Sequence, residues 1–370
     1  LVDLQLGKLW VTDREGRPVA MEVYPGNVAD PVTVTEQIIK VRARFGLEHV
    51  VLVGDRGMLT SARISSFRES SGMGWVTALR TGDIRKLVNS GALQLSLFDQ
   101  VNLAEIESPD FPGERLVACF NPLLADERRR KRNELLDATE NQLARLSLEV
   151  ARRTQTPMTA GEIGIKVGAI LPRYKMAKHF NTQITDGTFT WSRKEESIRQ
   201  EESLDGIYII RTSEPADRIS AADVVRTYKF LAQVEQAFRC MKGIDIRVRP
   251  IFHRTEDHVR AHFFLCMLAY YVEWHMRRAL APLLFQDEAV PADRQVRDPV
   301  AKPEASASAK AKKSRKTTPD GLPVHSFQTL LGHLATMTRI TMRIGDTDAT
   351  YDQYSQPTPV QQKAFELLAL

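Results

Sequence analysis

Cysteine is scarce in this chain. The three present in 370 residues, Cys119, Cys240 and Cys266, are too few and too dispersed for a disulfide framework or a four-cysteine metal knot. They read as buried thiols of a protein kept in a reducing compartment. Long apolar runs are also missing: no window of about 18 apolar residues lacks charges, which excludes a membrane-spanning helix. No basic, apolar, small-residue series marks a secretory leader, and no internal repeat is visible. The opening "LVDLQLGKLWVTD" already alternates like a strand with no lead-in, so the chain is expected to be a fragment entered part-way through a fold.

What is present suits an ordinary globular protein. With 43% hydrophobic residues the chain can bury a core and should form two or more structural units. Lysine and arginine exceed the acids by 51 to 46, a net +5, which permits a polyanionic partner without demanding one.

The pattern alternates between strands and helices. A hairpin is predicted with strands near Leu6 to Val11 and Val19 to Val23 around a turn at Asp13 to Gly16. A helix should follow, with Asp30 as cap, Pro31 in the first turn and Val34, Ile38, Ile39 and Val41 at helical spacing. The buried-looking run "VVLV" then stops at Gly54 and Asp55, followed by a helix near Ser61 to Ser70 and a strand at "GWVTALR". Strand, strand, helix, strand, helix, strand describes a mixed α/β sheet over residues 1–80. Residues 81–219 read as a partly β insertion subdomain, with strand-like "GERLVACF", "GTFTWSR" and "DGIYIIRTS" and one long helix from about Asp126. Leu136, Leu143 and Val150 repeat every seven residues along that helix, with Leu146 between them, so it carries one apolar stripe; its head, "ERRRKR", is basic and reads first as a solvated face. Helix returns over 220–285, in a segment opened by a serine cap and closed by Gly243, and again from about Asp257 to Leu280, where the apolar middle predicts burial against a sheet. Residues 286–321, rich in Ala, Pro, Ser and Lys, are expected to be a flexible basic linker, and 322–370 a short tail with a helix near Phe327 to Thr338 and a strand at "ITMRI".

Two acidic positions carry the chemistry. Asp55 sits where a buried strand ends, the edge at which open α/β sheets collect functional groups, although shaping a turn before Gly57 explains it equally well. On a continuous helix, Tyr228, Leu231, Glu235 and Lys242 fall within roughly 60° of one another. A glutamate among apolar neighbours must be paired, metal-bound or at a boundary. Carboxylates on rigid elements are what two Mg²⁺ or Mn²⁺ ions about 4 Å apart require for phosphodiester chemistry, and a third carboxylate is normally needed.

With these residues the chain resembles the catalytic region of a bacterial insertion-sequence transposase of the DDE superfamily, in the branch marked by a Tyr-x2-Arg-x3-Glu-x6-Lys signature. Here the signature reads Tyr228, Leu231, Glu235 and Lys242, with leucine in place of arginine, and "GDRGM" around Asp55 is similar to the second-aspartate motif. The likeness runs to about residue 280. It implies an RNase H-like core interrupted by an insertion, metal-dependent cleavage at mobile-element ends, and strand transfer into target DNA by a homodimer in the bacterial cytoplasm. It makes Asp55 and Glu235 the catalytic metal ligands for Mg²⁺ or Mn²⁺, and Tyr228, Lys242 and Arg239 contacts to the DNA backbone. Salt-sensitive phosphate contacts are expected from Lys131, Arg132 and the linker lysines as well.

The departures matter. The first aspartate of the family has no assigned counterpart: Asp3 precedes a hairpin strand and Asp13 lies in the turn, and neither is chosen. A site without it loses a bridging ligand, so a catalytically inactive remnant that only binds DNA stays open as an alternative, as does an RNase H-like nuclease that cuts without joining. A zinc enzyme built on His258 and His262 is the weaker rival, because the HExxH glutamate is absent.

Overall fold

A computed structural model of the chain describes residues 7–12, 17–24, 40, 42–68, 72–242, 246, 248, 250–289, 298–301 and 304–370. The turn around Asp13, the cap at Asp30 and most of the helix expected after it lie outside the described residues, as does Asp3. The chain divides into two compact units, one drawn from residues 1–75 and 226–370, the other from 76–225.

The fold class is the expected one, mixed α/β. In the first unit, β1 (Gly7–Thr12) and β2 (Pro18–Tyr24) form an antiparallel hairpin whose register slips between Val11 and Thr12. The run "VVLV" forms β3 (Val50–Val53), hydrogen-bonded to the neighbouring β4 (Met73–Ala78), with α1 (Ser61–Arg68) between them in sequence. Ile64 and Phe67 of α1 face inward with Leu59 and Trp75, against Val50, Leu52 and Met73. The turn that carries Asp55 is therefore seated on packed side chains.

The second unit continues as an antiparallel sheet in the order β4, β9 (Ile207–Thr212), β6 (Arg115–Phe120), β5 (Leu103–Ile106). Its centre is fully apolar: Leu116, Val117, Ala118, Cys119, Ile209 and Ile210 are all buried, and α2 (Thr81–Asn89) adds Ile84 and Leu87. The long helix α3 spans Pro122–Arg152, starting four residues before the expected Asp126 because Asn121 caps it, accepting from the Leu124 N–H at 3.2 Å, and Pro122 suits its first turn. Its stripe of Leu136, Leu143, Leu146 and Val150 packs with Ile163 and Val167 of α4 (Ala160–Ile170) and with Phe180 and Phe189 of the hairpin β7 (Phe180–Thr185) and β8 (Thr188–Arg193). The helix α5 (Glu195–Glu202) then leads to β9.

Three expectations need correction. The helix carrying the signature is two helices, α6 (Ala221–Lys229) and α7 (Leu231–Lys242), separated at Phe230, whose N–H is shared between the carbonyls of Arg226 and Thr227, the tightened geometry of a helix end. The apolar helix α8 (Glu256–Ala279) is not buried all round: Val259, Phe263, Cys266 and Tyr270 face the core, while Phe264, Leu265 and Val272 are more than half exposed. The segment read as a linker contains α9 (Ala307–Arg315), which buries Lys312. The tail is a folded layer as well, with α10 (Phe327–Leu334), the hairpin β10 (Arg339–Arg343) and β11 (Thr350–Tyr354), and α11 (Pro359–Leu368). Phe327, Leu330, Val360 and Ala364 form a core there with Leu280, Leu283 and Leu284.

Candidate active site

The Asp55 turn is built by its own carboxylate. Oδ1 accepts the N–H groups of Gly57 at 2.9 Å and Met58 at 2.7 Å, and the Asp55 carbonyl accepts the N–H of Leu59 at 3.0 Å. A side chain at position 57 would bring its Cβ to 3.3 Å from Oδ1, and one at Gly54 would press on Met58 and Leu59 at 3.1 and 3.2 Å, so both glycines allow the chain to fold back here. Arg63 of α1 closes the loop by donating to the Met58 carbonyl. The turn-shaping reading of Asp55 is thus satisfied through one oxygen. The residue is exposed, and Oδ2 makes no hydrogen bond among the described residues.

Glu235 leaves α7 on its exposed face. Its carboxylate lies 3.7 Å from Arg239 one turn on, with the two side chains 72% and 78% exposed. Such an exposed pair contributes about 0–1 kcal/mol and yields readily to a stronger partner. Tyr228 is half-buried near the end of α6. Burial pushes its hydroxyl above the ordinary phenol value, Arg56 draws it down, and Asp55 and Glu235 both push it up. Arg56, Asp55 and Glu235 therefore each lie within electrostatic reach of the Tyr228 hydroxyl.

Arg56 was not singled out by sequence reasoning, although it stands inside "GDRGM" beside the aspartate. Lys229 was also missed. Its ammonium donates to the carbonyls of Pro299 at 2.6 Å and Val300 at 2.9 Å, fixing the end of α6 next to Tyr228. No sequence signal marks that contact, because it joins positions distant in the chain.

The basic candidates separate. Arg239 is exposed beside Glu235. Lys242 is the last residue of α7. Lys131 is exposed on α3, in the other unit. Arg132, its neighbour, is buried: Nη1 lies 2.7 Å from Oδ2 of Asp205, a carboxyl that burial pushes up and Arg132 pulls down. It is a structural cation, which corrects the expectation of a phosphate contact. Within the same basic run, Arg129 pairs with Glu202 at 3.0 Å and Arg130 with Glu134 at 2.7 Å. Lys312 is withdrawn from the linker lysines too, since its ammonium donates to the carbonyls of Ala281 at 3.0 Å and Gln286 at 3.2 Å and pairs with Glu288.

Hard carboxylate oxygens on Asp55 and Glu235 suit a divalent cation of the magnesium type. Among the described residues no group of three or more His, Cys, Asp or Glu side chains could hold a metal. The histidine pair on α8 does not make a zinc site: His262 uses Nε2 on the Val248 carbonyl at 3.1 Å, and His258 is exposed, with its ring near that of His253. No described helix is long and apolar enough to cross a membrane.

The sequence matches the family model described as Transposase DDE domain over residues 9–272, a range that contains Asp55, Tyr228 and Glu235. No curated protein and no solved structure matches the chain.

Proposed function

The chain belongs to the transposase DDE domain family, and from that premise we propose that it cleaves DNA at the ends of a mobile element and joins the freed 3′-hydroxyl to target DNA. Asp55 and Glu235 would hold the divalent metal, Mg²⁺ or Mn²⁺, which when bound activates the attacking oxygen and stabilises the leaving one. The observation that carries this reading is the match to the transposase DDE domain over residues 9–272, a range that holds both carboxylates.

The other residues have roles in binding. Tyr228, protonated at neutral pH, is a hydroxyl donor for a phosphate oxygen beside the carboxylates. Arg239, held among the described residues by an exposed ion pair, exchanges Glu235 for DNA phosphate once the carboxylate is engaged. Lys131 adds a sequence-independent, salt-dependent contact, and Lys242 another near the transferred strand. As the family resemblance implies, two copies act together on paired ends.

The test is an assay of end-bearing DNA with a target plasmid. Mg²⁺-dependent cleavage followed by insertion into the plasmid is the expected result. Cleavage with no joined product would make the protein a nuclease, and metal-independent DNA binding alone would make it a binding protein.

A further inference from the structure

Glu273 is a carboxylate in an apolar place. It lies on α8, 9% exposed, beside the cluster of Val248, Val259, Phe263, Cys266 and Tyr270, against which Cys240 of α7 packs. Burying an ionisable group there carries a desolvation cost that an apolar residue of the same volume would avoid. What the carboxylate does instead is make directed bonds. Its Oε1 accepts from the Cys240 thiol at 3.3 Å and from Nε of Arg277 at 2.6 Å. The Tyr270 hydroxyl shares the neighbourhood: burial pushes it up to about 12, and Cys240 and Glu273 push the same way. Arg277 in turn stacks over the Phe327 ring, 4.2 Å from its centroid, which ties the arrangement to the C-terminal layer.

Cys240 and Glu235 are five residues apart on α7, about 140° around the helix axis. The face of α7 that presents Glu235 outward is thus set by how the opposite side is held. Apolar packing alone tolerates small rotations of a helix, whereas a hydrogen bond to a fixed acceptor resists them. We infer that Glu273 is a positioning residue: through the Cys240 thiol it fixes the rotation of α7 about its axis and so sets where the Glu235 carboxylate stands relative to Asp55. This rests on the reading of Asp55 and Glu235 as metal ligands. Glu273 touches neither DNA nor metal in this account.

The experiment titrates the full chain with Mn²⁺ and follows the free ion by electron paramagnetic resonance, with DNA binding in EDTA and thermal melting measured alongside. The variants are Glu273→Leu, Glu273→Gln, Cys240→Ala and Cys240→Ser, with Glu235→Gln as control. Glu273→Leu is expected to raise the Mn²⁺ dissociation constant tenfold or more, and Cys240→Ala about threefold, while metal-free DNA binding stays within twofold. Cys240→Ser, which keeps a donor, returns the affinity to near the parent value. If Glu273→Leu does not fold, the two cysteine variants decide the matter through that rescue. Parental Mn²⁺ affinity in both Glu273→Leu and Cys240→Ala, with affinity lost in Glu235→Gln, overturns the positioning role and leaves the metal reading standing. Parental affinity in Glu235→Gln removes the metal reading itself.

Discussion

Burial pushes the Tyr228 hydroxyl above the ordinary phenol range, and the Asp55 carboxylate pushes it the same way, as does Glu235, against the pull of Arg56. A protonated hydroxyl can donate to a phosphate oxygen, and a phenolate cannot. Tyr228→Phe should slow end cleavage by about 10–100-fold, the value of about 1.5–3 kcal/mol for a hydrogen bond to a charged acceptor. The pH–rate profile of the parent should show no descending limb from this tyrosine below pH ~10. A limb near pH 9 that vanishes in Tyr228→Phe would contradict the assignment.

Adjacent positions on α3 should behave in opposite ways. Lys131→Ala removes an exposed charge and should weaken DNA binding and flatten its salt dependence by roughly one counterion, with the melting temperature unchanged. Arg132→Ala strands Asp205 in the interior and should destabilise the protein by about 3–5 kcal/mol, read from the urea midpoint. Equal melting temperatures for the two variants would show that the Arg132 pair is not the buried link described.

Lys312 makes the same argument in the C-terminal layer. Its ammonium is held by backbone carbonyls and Glu288, so Lys312→Met should cost about 1–3 kcal/mol by leaving the inner carbonyls without their donor. Limited proteolysis should then cut within residues 281–321 first. A variant as resistant as the parent would restore the linker reading.

Acid should destabilise the fold before it reaches the carboxylate range. Burial holds the His179 imidazole below its ordinary value, against the pull of Glu201, and burial with His333 does the same to His325. A histidine whose folded value is depressed contributes stability that is present above the unfolded value near pH ~6.5 and is lost as pH falls through the folded value. The melting temperature should be level from pH 8 to 7 and fall toward pH 5, with a shallower fall in His179→Gln. A level curve down to pH 5 in the parent would contradict this.

Much of the fold was legible because it rests on local pattern. The run "VVLV" read as a short strand and forms one, half-buried rather than fully buried, and the seven-residue repeat of Leu136, Leu143 and Val150 marked the buried stripe of α3. Asp55 and Glu235 were singled out from motif spacing. What was hidden depends on contacts between distant positions. Nothing in "TYKFLAQ" announces the break at Phe230, since each residue tolerates helix. A lysine-rich run reads as solvated, yet Lys312 is drawn in by the carbonyls of residues 281–286. The apolar middle of α8 promised burial against a sheet, but periodicity cannot say how much of a helix its neighbours cover. Glu273 would pass for a surface charge paired with Arg277 at helical spacing, and only the fold reveals Cys240 on its other side.

The most direct test of the central claim is calorimetric titration of Mn²⁺ into the parent, Asp55→Asn and Glu235→Gln proteins. If the two carboxylates share a divalent ion, each substitution should weaken binding by at least tenfold while metal-free DNA affinity is retained. Parental Mn²⁺ affinity in either variant would contradict the shared site and, with it, the catalytic reading of this chain.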